Sequence, residues 1–172
     1  METKSAMNDG ALARFGYLRV LNHLIRHPRV FFRDLPDEIS IINPLIFLGI
    51  SSLIPGLAAF IQSGENRFSM AAIFTANAFF LPLIGALLGL PAAALFKKGR
   101  LNLKKYFTVF ALAGGVIGPI VWLPAFSLAC ESIKWILVGI GLVHACAIKP
   151  LQTFLIILSA ILLSMALFSY FL

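Results

Sequence analysis

The chain offers few residues able to do chemistry, and their spacing limits what that chemistry can be. His23 and His27 lie four residues apart, the spacing that puts two imidazoles on one face of a helix. Two ligands do not make a metal site. The nearest carboxylates, Asp34, Asp37 and Glu38, follow a break at Pro28. Surface histidines are the plainer reading, and no metal is expected. His144 and Cys146 are the only titratable groups well inside an apolar run, about one turn before Lys149. That places the histidine near a membrane interface, with Cys146 a small packing residue and Cys130 a free thiol. The two cysteines fit neither a disulfide framework nor a zinc spacing. No nucleophile elbow, zinc-protease motif, phosphate loop or dinucleotide fingerprint occurs, so no enzyme activity, catalytic residue or cofactor is expected.

The elements that would position these residues are membrane helices. Of 172 residues 60% are apolar and 12% charged, and mean hydropathy is +0.94. A soluble domain of this size must cover its surface with far more polar groups. A bilayer core takes about 20 apolar helical residues to cross. Runs at 44–62, 70–96, 106–128, 133–148 and 151–172 meet or approach that length. Such runs must be helical, since lipid offers no partner for backbone polar groups. The short connections carry turn and breaker residues: 63–69, 97–105, 129–132, and Lys149-Pro150. The first long run begins at Pro44, so it reads as an anchor and not as a removed leader.

Charge sets the orientation. Twelve of 14 Lys and Arg residues lie in the N-terminal segment, the 97–105 connection and Lys149; only Arg67 and Lys134 fall on the other side. The positive-inside rule then predicts five spans, a cytoplasmic N-terminus and an external C-terminus. Trp122 and Trp135 fit an interfacial belt at the outer ends of spans three and four. Intramembrane carboxylates would mark an ion-coupled carrier. Glu65 and Glu131 are read as loop residues, which leaves the spans without one.

Before the first span, Ala11, Phe15, Leu18, Leu21 and Ile25 form one apolar stripe at helical spacing, flanked by arginines. Such a helix either lies in the membrane interface or packs on the cytoplasmic ends of the bundle. Arg19, Arg26, Arg29, Phe31, Phe32 and Arg33 are its candidate contacts with lipid or a partner. Gly85 and Gly89 in span two, with Gly114 and Gly118 in span three, are small residues that let helices approach closely. Pro55, Pro82, Pro91, Pro119 and Pro124 interrupt three spans and kink them.

The segment from Leu24 to Pro36, with its Pro-Arg-Val-Phe-Phe run, resembles the approach to the membrane in the Yip family, named for Ypt/Rab-interacting proteins. So do Asn43-Pro44-Leu45 at the mouth of span one, the basic connection after span two, and Gly139, Gly141, Leu142 and His144 ahead of Lys149. The likeness, to the small prokaryotic form, covers residues 20–172. It implies five spans and a cytoplasmic N-terminus. Eukaryotic members are adaptors for Rab GTPases and carry an Asp-Leu-Tyr-Gly-Pro segment; here 37–44 keeps only its acidic start and final proline.

The expectation is therefore an all-α polytopic membrane protein. A cytoplasmic segment at 1–43 carries an interfacial amphipathic helix, and a five-helix transmembrane bundle fills 44–172. Its expected role is a non-enzymatic adaptor or organiser in membrane trafficking or homeostasis. The second reading is a transporter or channel for a lipid or small neutral solute. Membrane lipids are the expected partners, with a cytoplasmic-face protein and a homo-oligomer as further candidates and no nucleic acid. The compact N-terminus favours a bacterial inner membrane.

Overall fold

The computed structural model describes residues 16–36, 38–97, 101–120 and 127–171, and every regular element among them is a helix. Two short helices come first, α1 (Tyr17–Arg26) and α2 (Pro28–Arg33). Proline divides them. It disfavours helical backbone at His27, which sits at φ −136° and ψ 57°, and then serves as the first residue of α2, where no N–H is needed. Five longer helices follow: α3 (Ile42–Gln62), α4 (Arg67–Lys97), α5 (Leu103–Ile117), α6 (Ser127–His144) and α7 (Pro150–Phe171). Asn102 caps α5, its side chain accepting from the Lys105 N–H at 3.2 Å. At the joint between α6 and α7, Ala147 holds a φ of 50°.

Neighbouring contacts fix the directions. Gly49 faces Phe79 and Gly56 faces Thr75, so α3 and α4 run antiparallel. Gly114 faces Pro82 and Gly89 faces Tyr106, so α5 reverses again. Gly114 and Gly118 then meet Leu48 and Ser51, which makes α5 parallel to α3.

The five helices therefore alternate in direction, but they are not five equivalent spans. Among the described residues three are long and apolar enough to cross a membrane: Ile42–Gln62, Arg67–Lys97 and, within α7, Pro150–Leu167. The expected third span, 106–128, stops at Ile117. At 1.5 Å per residue α5 is only about 22 Å long, short of the bilayer core of about 30 Å. The expected fourth span, 133–148, shifts toward the N-terminus. It begins at Ser127 and ends at His144, so the predicted turn at 129–132 is helical.

Helix α5 is the centre. Twelve of its 15 residues are buried, including Tyr106, Phe110 and Leu112. The Tyr106 hydroxyl donates to the Ala86 carbonyl of α4 at 3.0 Å.

The N-terminal segment shares this core. Val20, Leu24, Phe32, Leu35 and Ile39 are buried in one cluster with Phe47, Tyr106 and Leu142. The buried edge of α1 shares only Leu21, partly buried against the core, with the described part of the stripe predicted from the sequence. Leu18 is 74% and Ile25 55% exposed, whereas Val20 and Leu24 are buried. Tyr17 decides the rotation. Its ring packs 5.0 Å from that of Phe47, and its hydroxyl lies 3.0 Å from Ser51 Oγ. Ala11, Phe15, Asp37, Trp122 and Pro124 lie outside the described residues.

Candidate functional site

Helix α6 brings an acid and a base together one turn apart. Glu131 and Lys134 form an ion pair at i,i+3, and the Lys134 ammonium also lies 5.2 Å from the Trp135 ring centroid. The Lys134 side chain is only 13% exposed and that of Glu131 48%. Both were assigned to a loop and a helix end by the sequence reading. With α6 starting at Ser127, Glu131 is a helical residue and not the loop residue expected. The signal was present in the opposite charges at helical spacing; Ala129–Ser132 was short enough to pass for a turn.

Two cavities flank this pair and share four lining residues, Leu81, Pro82, Glu131 and Lys134. The larger, about 320 Å³, is walled mainly by Phe110, Trp135, Val138, Ile161 and Met165. The smaller, about 200 Å³, is walled by Pro55, Phe74, Asn77, Ala78, Gly114, Ile117 and Gly118. Three interruptions of regular helix meet at the smaller one. Pro82, fifteen residues from either end of α4, has no N–H to give the Ala78 carbonyl. Pro55 leaves the Ser51 carbonyl without its helical donor in the same way. The C-terminal end of α5, with its partial negative charge, also lies here. The cavity is lined mainly by apolar atoms and borders one carboxylate and one ammonium.

The four glycines singled out from the sequence occupy different surroundings. A methyl group at Gly114 would lie 2.3 Å from Pro82 Cγ, and one at Gly118 would lie 2.9 Å from the Ser51 carbonyl oxygen. At Gly89 it would meet the Tyr106 hydroxyl at 2.8 Å. These distances are closer than carbon tolerates, so each glycine lets its helix touch a neighbour, at Gly118 backbone against backbone and at Gly114 and Gly89 against the Pro82 and Tyr106 side chains. Gly85 is looser, with Trp135 at 3.6 Å.

The other candidate surface is the basic end. Arg19, Arg26, Arg29 and Arg33 are all exposed, Arg33 beside Asp34 with Nε–Oδ1 at 3.2 Å. Phe31 is half-buried, its ring 5.7 Å from that of His23. Phe32 departs from the expected interface role. It is fully buried and packs at Gly141, where a methyl group would come within 3.2 Å of its ring. The His23 and His27 rings stand 6.0 Å apart. His144 Nδ1 lies 2.9 Å from the Ile140 carbonyl one turn back in its own helix. Cys146 lies buried in the same core cluster as Tyr106. Burial pushes its thiol up to about 11, with Lys105 and Lys97 opposing that rise. Lys97, Lys105 and the α6–α7 joint therefore share one end of the bundle.

The Yip1 domain model matches residues 22–171 of the chain. No match was found among curated proteins or among solved structures.

Proposed function

From the premise that the chain belongs to the Yip1-domain family and is a helical membrane protein, we propose that it is a non-enzymatic membrane organiser working through its basic end. The observation that carries this reading is the division of labour within 17–33. Val20, Leu24 and Phe32 anchor the segment in the core, while Arg19, Arg26, Arg29 and Arg33 stay at the surface. A rigid scaffold thereby displays four cations on the end that also carries Lys97, Lys104 and Lys149. By the positive-inside rule that end is cytoplasmic, in a bacterial inner membrane, and the opposite end is external. Its partners are anionic lipid headgroups or an acidic protein surface.

Deleting residues 1–40 is the wrong test, because it removes five buried residues from the core. The charges must be removed and the anchors kept. Full-length protein in phosphatidylcholine nanodiscs should capture vesicles containing about 30% phosphatidylserine, each basic residue contributing about 1 kcal/mol. Changing Arg19, Arg26, Arg29 and Arg33 together to Gln should weaken that capture by roughly a thousandfold. Capture unchanged by the four substitutions would refute the reading.

A second reading, a carrier for a lipid or small solute, draws on the proline-flanked cavities. It predicts transfer of labelled lipid between leaflets of proteoliposomes.

A further inference from the structure

We propose that the groove between α3 and α4 seats one acyl chain of a phosphate-bearing membrane lipid, with Arg67 holding the phosphate. The inference stands apart from the basic-end reading, since Arg67 opens α4 and Lys97, at the basic end, closes it.

The groove, about 530 Å³, runs between two of the helices that are long and apolar enough to cross a membrane. Small side chains make it. Gly49, Gly56, Ala72 and Ala76 line it, with Leu53 and Leu57 exposed beside them. At Gly49 a methyl group would meet nothing nearer than the Phe79 ring at 3.8 Å, so the space there is open. The lining offers little to a polar ligand. Ser52 already donates its hydroxyl to the Leu48 carbonyl at 2.7 Å, and Thr75 packs its own against Gly56.

Length identifies the occupant. The lining runs from Gly49 to Phe60 on α3 and from Ala71 to Phe80 on α4. At 1.5 Å per residue these stretches measure about 16 and 14 Å, half of a bilayer core of about 30 Å. The groove therefore reaches from the α3–α4 turn to the middle of the membrane, the depth of one leaflet. An acyl chain ends there. A helix from a second copy would cross the whole core and find the groove along only half its length.

A cation stands at the mouth. The Arg67 guanidinium lies 5.6 Å from the centroid of the Phe60 ring, and its Nε donates to the Gly64 carbonyl at 3.4 Å. These contacts orient the group and use one of its five N–H donors. Its two terminal nitrogens match two oxygens of a phosphate. Glu65, in the same turn, makes no ion pair with it among the described residues. Lys134, the other cation away from the basic end, is paired with Glu131.

Native mass spectrometry on the full-length protein tests this, using phosphatidylcholine and diacylglycerol of identical chains. Neither lipid has a net charge, so the arginines of α1 and α2 do not sort them by it. The phosphate-bearing lipid should bind about tenfold more tightly, a difference of about 1.4 kcal/mol. Arg67→Gln should abolish that preference. Ala76→Trp, which fills the groove, should reduce retention of both lipids at least fivefold. Gly49→Leu fills it from α3 and should do the same, which keeps the proposal testable if the tryptophan variant fails to fold. Equal retention of the two lipids by the unaltered protein would overturn the proposal. So would a preference that survives Arg67→Gln, retention unchanged by filling the groove, or a dimer that Ala76→Trp dissolves. None of these results bears on vesicle capture by the arginines.

Discussion

Helices α5 and α7 invert the usual relation between greasiness and burial. Helix α7 is among the most apolar segments, and only 17% of its spanning window is buried within the protein. Helix α5 is the shortest of the five long helices, opens with Lys104 and Lys105, and is buried over 12 of 15 residues. The difference follows from the solvent. In lipid there is no hydrophobic force sorting helices inward, so a leucine-rich helix gains nothing by leaving the acyl chains. What earns a central place is the ability to approach closely. Gly114, Gly115 and Gly118 give α5 that ability on its face toward Phe47, Ser51 and Pro82.

The contrast can be broken most directly at Gly114. Gly114→Val must push α5 off the rigid Pro82 ring, and overpacking of this kind costs about 1–3 kcal/mol or more. Thermal unfolding in detergent, followed by size exclusion, should show a large drop or loss of the monodisperse peak. A variant as stable as the parent would mean that α5 is not held in contact there.

Cys146 sharpens the comparison at the basic end of α5. Thiolate is the reacting species, and a thiol moved from its usual 9.0 up to about 11 holds about 100-fold less of it at neutral pH. Maleimide labelling of Cys146, in a Cys130→Ser background, should be slow at pH 7–8 and should accelerate as pH approaches 11. Rapid labelling at pH 7 would show that the joint between α6 and α7 is open. The smallest effect belongs to the other side of the contrast. Leu162→Ala on α7 removes a side chain that is 56% exposed to the surroundings, and the shift should stay within about 0.5 kcal/mol.

Hydropathy made much of this helical architecture legible. The starts of α3 and α4 fall within a few residues of the predicted runs, and α7 begins one residue before its run. Positions 114 and 118 were singled out as small residues; their contacts with Pro82 and Ser51 depend on tertiary packing. The central helix was misread because residues 106–128 look like one continuous apolar run. Gly118-Pro119 is where the helix ends, and breakers of that kind are tolerated often enough in membrane helices to hide it. The α1 stripe was chosen on apolarity alone. Tyr17, whose ring and hydroxyl both find partners in α3, set the rotation, and a polar-tipped aromatic carries no signal in a hydrophobic periodicity. The smaller cavity was illegible for a different reason: Pro55, Pro82 and the end of α5 are distant in sequence and meet only in three dimensions.

Phe32 packs against Gly141, more than a hundred residues further along the chain. During synthesis, therefore, this segment leaves the ribosome well before α6 and cannot reach its final seat until α6 has been made. Contacts spanning such a loop form slowly. Until then Phe32 lacks the surface at Gly141 that covers it, so nascent chains stalled before α6 would carry an exposed aromatic side chain.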